Sequence, residues 1–491
     1  MSEIKTKSQN WPVQNKSDVF ALYEGTLSNK NFPDTESRIG MEVENNFYNI
    51  GDLTALTEEQ SNNFVSEGAR NAICMNTEPS ATTLEILTDP YKREDFDQLI
   101  TQINQRFENI YNFGRDKGIA PSPFGYLPNI TPEQHHQTHN DRYKAFWIPP
   151  RPDLEDAFKS FLDPSIQVSI SYTDFDHLLR IIRLSIALEP FLILTTEADG
   201  GFYEGKAVDG SPRTRILKRR GRNGGIPDFY LTSKSGEELI DNHISYTLNN
   251  PHVFVCFNDD GNLAKLPNDV WSPFLDLEKG GYGPCDLLNY RQAQSESWRR
   301  TTNISEIRDT DGTLFGHRAE ISSLFCTGLQ HQRATGAVLS YLLAYCPNFY
   351  NNINDLTKDF GIDMNNLKGC EEALVQNFDN AHMHQGRYFD LPYGNKTIKE
   401  FALRFAEIIQ DCLKDSVLKK YSAPLTHILE EGRPDWIVKR ENFKTLEQQK
   451  AYMKALPELS QQHPELVSAD SCADFTKDIV KDFLSKSDIA A

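Results

Sequence analysis

Apolar and polar positions alternate along residues 36–47. Ile39, Met41 and Val43 fall on one side of the pattern, and Arg38, Gly40, Glu42 and Glu44 on the other. That alternation predicts a strand with one face in a core and one face carrying acids. A second strand is predicted at Thr82–Leu87, after the turn residues Glu78-Pro-Ser80. It places Thr83, Glu85 and Leu87 on one face. Ser165–Tyr172 alternates strictly, with Ile166, Val168, Ile170 and Tyr172 opposite Gln167, Ser169 and Ser171. Two more strands are expected, at Pro251–Phe257, turned by Asp259-Asp-Gly261, and within 311–321, where Arg318 and Glu320 share a face.

Other segments follow the helical period. In Asp95–Tyr111 the apolar positions are Phe96, Leu99, Ile100, Ile103, Phe107, Ile110 and Tyr111. Thr173–Asp176 offers N-cap residues for a long helix through Leu188, with Pro190 near its end. From about Gln332 onward the pattern is helical: 334–344, 398–413, and a tail from Leu446. The apolar stretch 178–194 is broken by Arg180, Arg183, Glu189 and Pro190, so it reads as a buried helix rather than a membrane span. Residues 114–150 show little periodicity and read as loop. The division expected from these patterns is an N-terminal arm (1–30), one catalytic domain (31–445, helical from about 332) and a helical C-terminal tail (446–491).

Composition narrows the function classes. With 491 residues, 38% hydrophobic and 25% charged, the chain suits a soluble globular protein with a sizeable core. A net charge of −19 opposes general binding to nucleic acid or an anionic membrane. Eight scattered cysteines without a C-x-x-C pair read as reduced thiols, and the N-terminus lacks the apolar core of a signal peptide. A cytoplasmic protein is the expectation, and an anionic ligand held by a few local arginines stays compatible with the charge.

The chemistry is concentrated in the acids. Two carboxylates side by side on a sheet face repel each other unless water or a cation intervenes. Hard divalent ions, Mg²⁺ or Mn²⁺, suit such oxygen donors, and a wet acidic face is the plainer alternative. If the predicted strands share a sheet, Glu42, Glu44, Glu78, Glu85 and Glu320 can converge on metal. Residues 200–226 form the one basic segment, with Arg213, Arg215, Lys218, Arg219, Arg220 and Arg222. Its arginines can hold phosphate in a bidentate grip, or can simply line a solvated loop. His135, His136 and His139 show no zinc-specific pattern and read as polar loop histidines, as do His382 and His384. No P-loop, nucleophile elbow or dinucleotide-binding glycine motif is present.

Five short segments resemble, in order, the carboxylate–amine ligase superfamily, and most closely its plant-type (second-family) glutamate–cysteine ligases. Gly40-Met-Glu-Val-Glu44 is similar to the family's G-x-E-x-E, and Glu78-Pro-Ser-Ala-Thr-Thr-Leu-Glu85 to its E-P-x-x-x-x-E. Gln167-Val-Ser169 followed by Ala187-Leu-Glu-Pro190 resembles a Q-V-N strand and the helix after it. Arg222-Asn-Gly-Gly-Ile-Pro227 and the stretch Tyr421–Gly432 complete the series.

The resemblance implies an α+β, glutamine synthetase-like fold: a curved, largely antiparallel sheet forming a funnel, with helices packed outside. It also implies ATP-dependent ligation, in which ATP phosphorylates a carboxylate, usually the γ-carboxyl of glutamate, and an amine attacks the acyl phosphate. In that scheme Glu42, Glu44, Glu78, Glu85 and Glu320 hold Mg²⁺, and Gln167 lines the substrate cavity. Arg222, with Arg213 or Arg215, meets the nucleotide and either stabilises charge on the transferred phosphoryl group or binds a substrate carboxylate.

Two departures bear on the substrate end. Ser169 stands in the family's Asn position, and Ser322 stands where an arginine is expected two residues after Glu320. Arg318, on the same strand face, is the replacement expected for catalysis and substrate binding. A kinase of the same fold, or a non-catalytic nucleotide- or partner-binding descendant, remains open on these residues.

Overall fold

Alternating segments from distant parts of the chain assemble into one antiparallel sheet. In the computed structural model the described residues are 37–139, 162, 164–208, 228–249, 255–257, 263–265, 302–308, 314–325, 329–374 and 388–487. The sheet has seven strands: β1 (Ile39–Asn49), β2 (Met75–Thr77), β3 (Thr83–Leu87), β4 (Ile119–Pro121), β5 (Ser165–Ser171), β6 (Thr302–Arg308) and β7 (Leu314–Phe325). Their order is β6-β7-β5-β1-β3-β2, with β4 on the far end of β1, and every pairing is antiparallel. β1 is therefore central, with β3 on one side and β5 on the other.

Burial in β1 follows the sequence alternation. Ile39, Met41 and Val43 are fully or almost fully buried, while Arg38, Gly40, Glu42 and Glu44 are half-buried. The apolar face is covered by the helices Phe96–Lys117, Phe175–Thr196 and His331–Tyr345, which pack on one another as well as on the sheet. Leaving such a core in water would be prohibitive: each large aliphatic or aromatic side chain buried contributes roughly 1.5–3 kcal/mol.

Two helices differ from their expected extents. Phe96–Lys117 runs six residues past Tyr111 and stops at Gly118, whose φ of 71° is the left-handed conformation of a glycine C-cap. Phe175–Thr196, capped by Asp174 accepting from the His177 N–H at 2.6 Å, continues beyond Pro190. Proline removes one helical hydrogen bond, but the whole last turn is buried. The Thr195 and Thr196 hydroxyls donate back to Phe191 O and Leu192 O, each at 2.6 Å. Apolar packing on all sides outweighs the lost bond.

The expected strand at Pro251–Phe257 is described only over Val255–Phe257, which pairs with Leu263–Lys265 outside the main sheet. The C-terminal half is helical. Ile398–Leu413 has a Thr397–Glu400 capping box and buries Ile398, Phe401, Ala402, Phe405, Ala406, Ile409 and Leu413, one face of a 3.6-residue period. The helices Leu446–Gln462 and Ala473–Lys486 close the chain. Tyr452, Met453 and Leu456 pack with Tyr48 and Phe124 in a second core, and Tyr48 Oη donates to Met453 O at 2.7 Å. No described helix is long and apolar enough to cross a membrane.

Candidate active site

The sheet face opposite the core gathers the acids. Register puts Glu44 directly across from Glu85 and Glu85 across from Asn76, a row over β1, β3 and β2. Glu78 follows β2 immediately. One carboxylate oxygen from each of Glu44, Glu78 and Glu85 lies within 4.8 Å of the other two. This is the one group of three or more potential metal-binding side chains among the described residues.

Glu85 is nine-tenths buried. Burial, then the charges of Glu78, Glu42 and Glu44, hold its carboxyl well above the usual carboxylate range. The Asn76 amide, donating to Glu85 Oε2 at 3.2 Å, pulls modestly the other way. Desolvation and like charge thus act together on one acid, as they do where a cation belongs.

Glu44 is the best-oriented member. Its Oε2 accepts from the Ser165 N–H at 2.8 Å and the Ser165 hydroxyl at 2.9 Å, and its Oε1 accepts from Gln167 Nε2 at 2.8 Å. These bonds tie the carboxylate to β5, on the side of β1 away from Glu85. Ser165 and Asn76 did not stand out in the sequence. Ser165 could have been found there, since it shares the period-2 face of Gln167; Asn76 lies on a strand of three residues, too short to show a period.

Glu42 and Glu320 belong to a second grouping. Glu42 pairs with Gln167 of β5, and Glu320 pairs with Ser169 two residues along the same strand. Arg318 joins them: its Nη2 lies 2.9 Å from Glu42 Oε1 and 3.1 Å from Glu320 Oε2. Burial lowers the affinity of this guanidinium for its proton, and the two carboxylates more than restore it. The sequence placed Arg318 and Glu320 on one strand face; it did not show that Arg318 would turn back onto Glu42 from a distant part of the chain.

Arg213, Arg215 and Arg222 lie outside the described residues, as do His382 and His384. The loop histidines do not assemble with the acids. His135 Nδ1 sits 3.1 Å from Thr82 Oγ1, and burial, reinforced by His136, lowers its pKa to about 4. His139 pairs with Glu58 at 3.0 Å. Cys74, Cys346, Cys370, Cys412 and Cys472 are free thiols.

No protein-family model matches this chain, and no curated protein sequence does either. Solved structures do. The chain is similar to the glutamate–cysteine ligase (gshA) of Francisella tularensis in complex with AMP, with a TM-score of 0.50 over 93% of this chain and 96% of that one. The chain has a glutamate–cysteine ligase-like fold. At 12% sequence identity, the likeness extends to the fold alone. A bifunctional glutathione synthetase from Pasteurella multocida is more distant, with a TM-score of 0.36 and 9% identity over 94% of this chain and 53% of that one.

The donor set fits a divalent ion. Three carboxylates, one of them desolvated and disfavoured as an anion by its neighbours, are the hard oxygen donors that Mg²⁺ or Mn²⁺ accepts.

Proposed function

We propose that this protein is an ATP- and Mg²⁺-dependent carboxylate–amine ligase, joining a substrate carboxylate to an amine through an acyl phosphate. The carrying observation is the convergence of Glu44, Glu78 and Glu85 on the face opposite the apolar core, in a sheet whose fold is like that of a glutamate–cysteine ligase. Mg²⁺, or Mn²⁺ in its place, held by these acids would neutralise charge on nucleotide phosphate oxygens.

The chain's own residues divide the remaining work. Ser165 and Gln167 hold Glu44 in place, and Asn76 holds Glu85. Gln167 also borders the substrate cavity. Arg318 meets a substrate carboxylate or the transferred phosphoryl group with the N–H groups that Glu42 and Glu320 leave over. Arg222, with Arg213 or Arg215, receives the nucleotide phosphates. The sheet forms the floor of a glutamine synthetase-like funnel. Glutamate is the proposed acid, by the resemblance to plant-type glutamate–cysteine ligases. The amine is left open, because Ser322 replaces the arginine expected at the substrate end. A cytoplasmic setting suits the free thiols.

The test is release of ADP and phosphate with glutamate and a panel of amines, compared with Glu42→Ala and Glu85→Ala. Metal-dependent turnover that collapses in both variants supports the ligase. Absence of turnover with every pair, or undiminished turnover in both variants, rejects it. Mass detection of an amide separates ligation from a kinase that stops at the phosphorylated substrate. Mg·ATP binding without consumption would mark a non-catalytic descendant, the reading that the serine at 322 keeps alive.

A further inference from the structure

The five acids of this sheet face are divided by geometry into two sets, and only one set has the form of a metal site. Glu44, Glu78 and Glu85 bring three oxygens within 4.8 Å of one another. Glu42 and Glu320 stand on β1 and β7 with β5 between them, and Arg318 bridges them. The bridge uses one atom: the same Nη2 touches Glu42 Oε1 at 2.9 Å and Glu320 Oε2 at 3.1 Å. The framework pair Arg440–Asp199 also uses a single nitrogen, but that nitrogen serves one acid; Arg318 differs in that one nitrogen serves two. A single nitrogen shared by two acids from different strands is the arrangement of a point cation between two ligands.

Ser169 adds a third oxygen. It lies on β5 opposite both Gly40 and Glu320, on the face it shares with Gln167. Its hydroxyl is more than nine-tenths buried and has no hydrogen-bond partner among the described residues. Gly40 contributes no side chain on this face. Two carboxylates converge on the guanidinium nitrogen, with the Ser169 hydroxyl on the strand between them and on the same face, an oxygen set that suits a hard divalent ion.

We infer that Arg318 is a built-in cation: its guanidinium takes the place of a divalent ion between Glu42 and Glu320, and so confines metal binding to Glu44, Glu78 and Glu85. Arg318 is then a positioning residue for the two acids and sets how many ions the site holds. The inference rests on the ligase reading only in that it takes Glu44, Glu78 and Glu85 to bind metal. A tethered charge is always present and needs no free ion.

The experiment is Mn²⁺ binding to the full-length protein, followed by electron paramagnetic resonance and titration calorimetry. Native protein is compared with Glu320→Gln, Arg318→Met, Arg318→Lys and Glu85→Gln. Native protein and Glu320→Gln are expected to bind the same number of ions, because Glu320 faces a guanidinium. Arg318→Met should bind about one ion more per chain, in the oxygen set the arginine vacates. Arg318→Lys, which keeps the charge, should not.

Loss of an ion in Glu320→Gln would overturn the inference, since Glu320 would then ligate metal in the native state. So would an unchanged count in a folded Arg318→Met. If Arg318→Met fails to fold, the Glu320→Gln and Arg318→Lys counts still decide. Failure of the underlying reading looks different: native protein would bind no Mn²⁺, or its binding would survive Glu85→Gln undiminished.

Discussion

Buried acids occur in two settings in this molecule, and their partners set them apart. Asp435 begins the helix Asp435–Asn442 and is fully buried. It accepts from Gln332 Nε2 at 2.8 Å and from the Ala473 N–H at 2.9 Å, and His331 Nδ1 lies 3.4 Å away. One carboxylate ties three helices together and satisfies an orphan N–H at the start of the last of them. Asp199 is similar: it accepts from Arg440 at 2.7 Å and from the Gly201 N–H at 2.9 Å. Around Glu85 the nearest charges are other carboxylates, and they raise its pKa rather than lower it. Acids surrounded by donors are framework; acids surrounded by acids are poised for a cation.

The most severe test of that contrast is Asp435→Ala, which strands the donors of Gln332 and Ala473 in the core. It should cost about 3–4 kcal/mol of stability, seen as a lowered unfolding midpoint in urea, with Mn²⁺ binding at native temperature unchanged. Were Mn²⁺ binding lost as well, the two settings would not be separable.

Glu85→Gln should act in the opposite sense on the two properties. Turnover should fall roughly 100-fold, about 2.7 kcal/mol, while the metal-free protein becomes more stable at neutral pH. The sign follows from linkage. A carboxyl with a raised folded-state pKa keeps its proton longer in the native state, so its stabilising contribution is full below the ordinary Glu range. That contribution is lost as the pH climbs toward the folded value. The thermal midpoint of native protein should therefore decline from about pH 5 upward more than that of Glu85→Gln, and the two should approach each other in acid. A destabilised Glu85→Gln at pH 7 would place Glu85 with the framework acids.

Gln167→Ala removes one of the groups orienting Glu44 without touching the acid itself. Mn²⁺ affinity should drop by roughly 10-fold, measured calorimetrically, with the fold intact by circular dichroism. The smallest effect is expected far from the acids. Thr445→Ala deletes the hydroxyl that caps Leu446–Gln462 through the Gln448 N–H, and should lower stability by about 1 kcal/mol. Metal binding and turnover well below the unfolding temperature should not respond.

Much of the scaffold was legible from local pattern. The alternation at 39–44 and 165–171 and the 3.6-residue period at 398–413 reappear as β1, β5 and a helix whose bounds match the pattern. Each depends on which side of one element faces a core, and a sequence carries that information in its spacing. Pro190 misled, because a proline marks a helix end only where packing does not compensate for the missing hydrogen bond, and here the following turn is wholly buried.

The site itself was legible only in part. Sequence by itself determined which acids lie on a sheet face, since period 2 is enforced by backbone geometry. It also determined that the chain is too acidic for phosphate to be held by overall charge. Only the tertiary structure decided how those acids group. Glu44 meets Glu85 because β1 and β3 are neighbours in a given register, and Glu42 meets Arg318 across β5 from a residue 276 positions away. A one-residue slip in either pairing would send the same side chains to the opposite face. Register is fixed by the burial of Ile39, Met41, Val43, Ile166, Val168 and Ile170 together, a property of the packed sheet and not of any one strand.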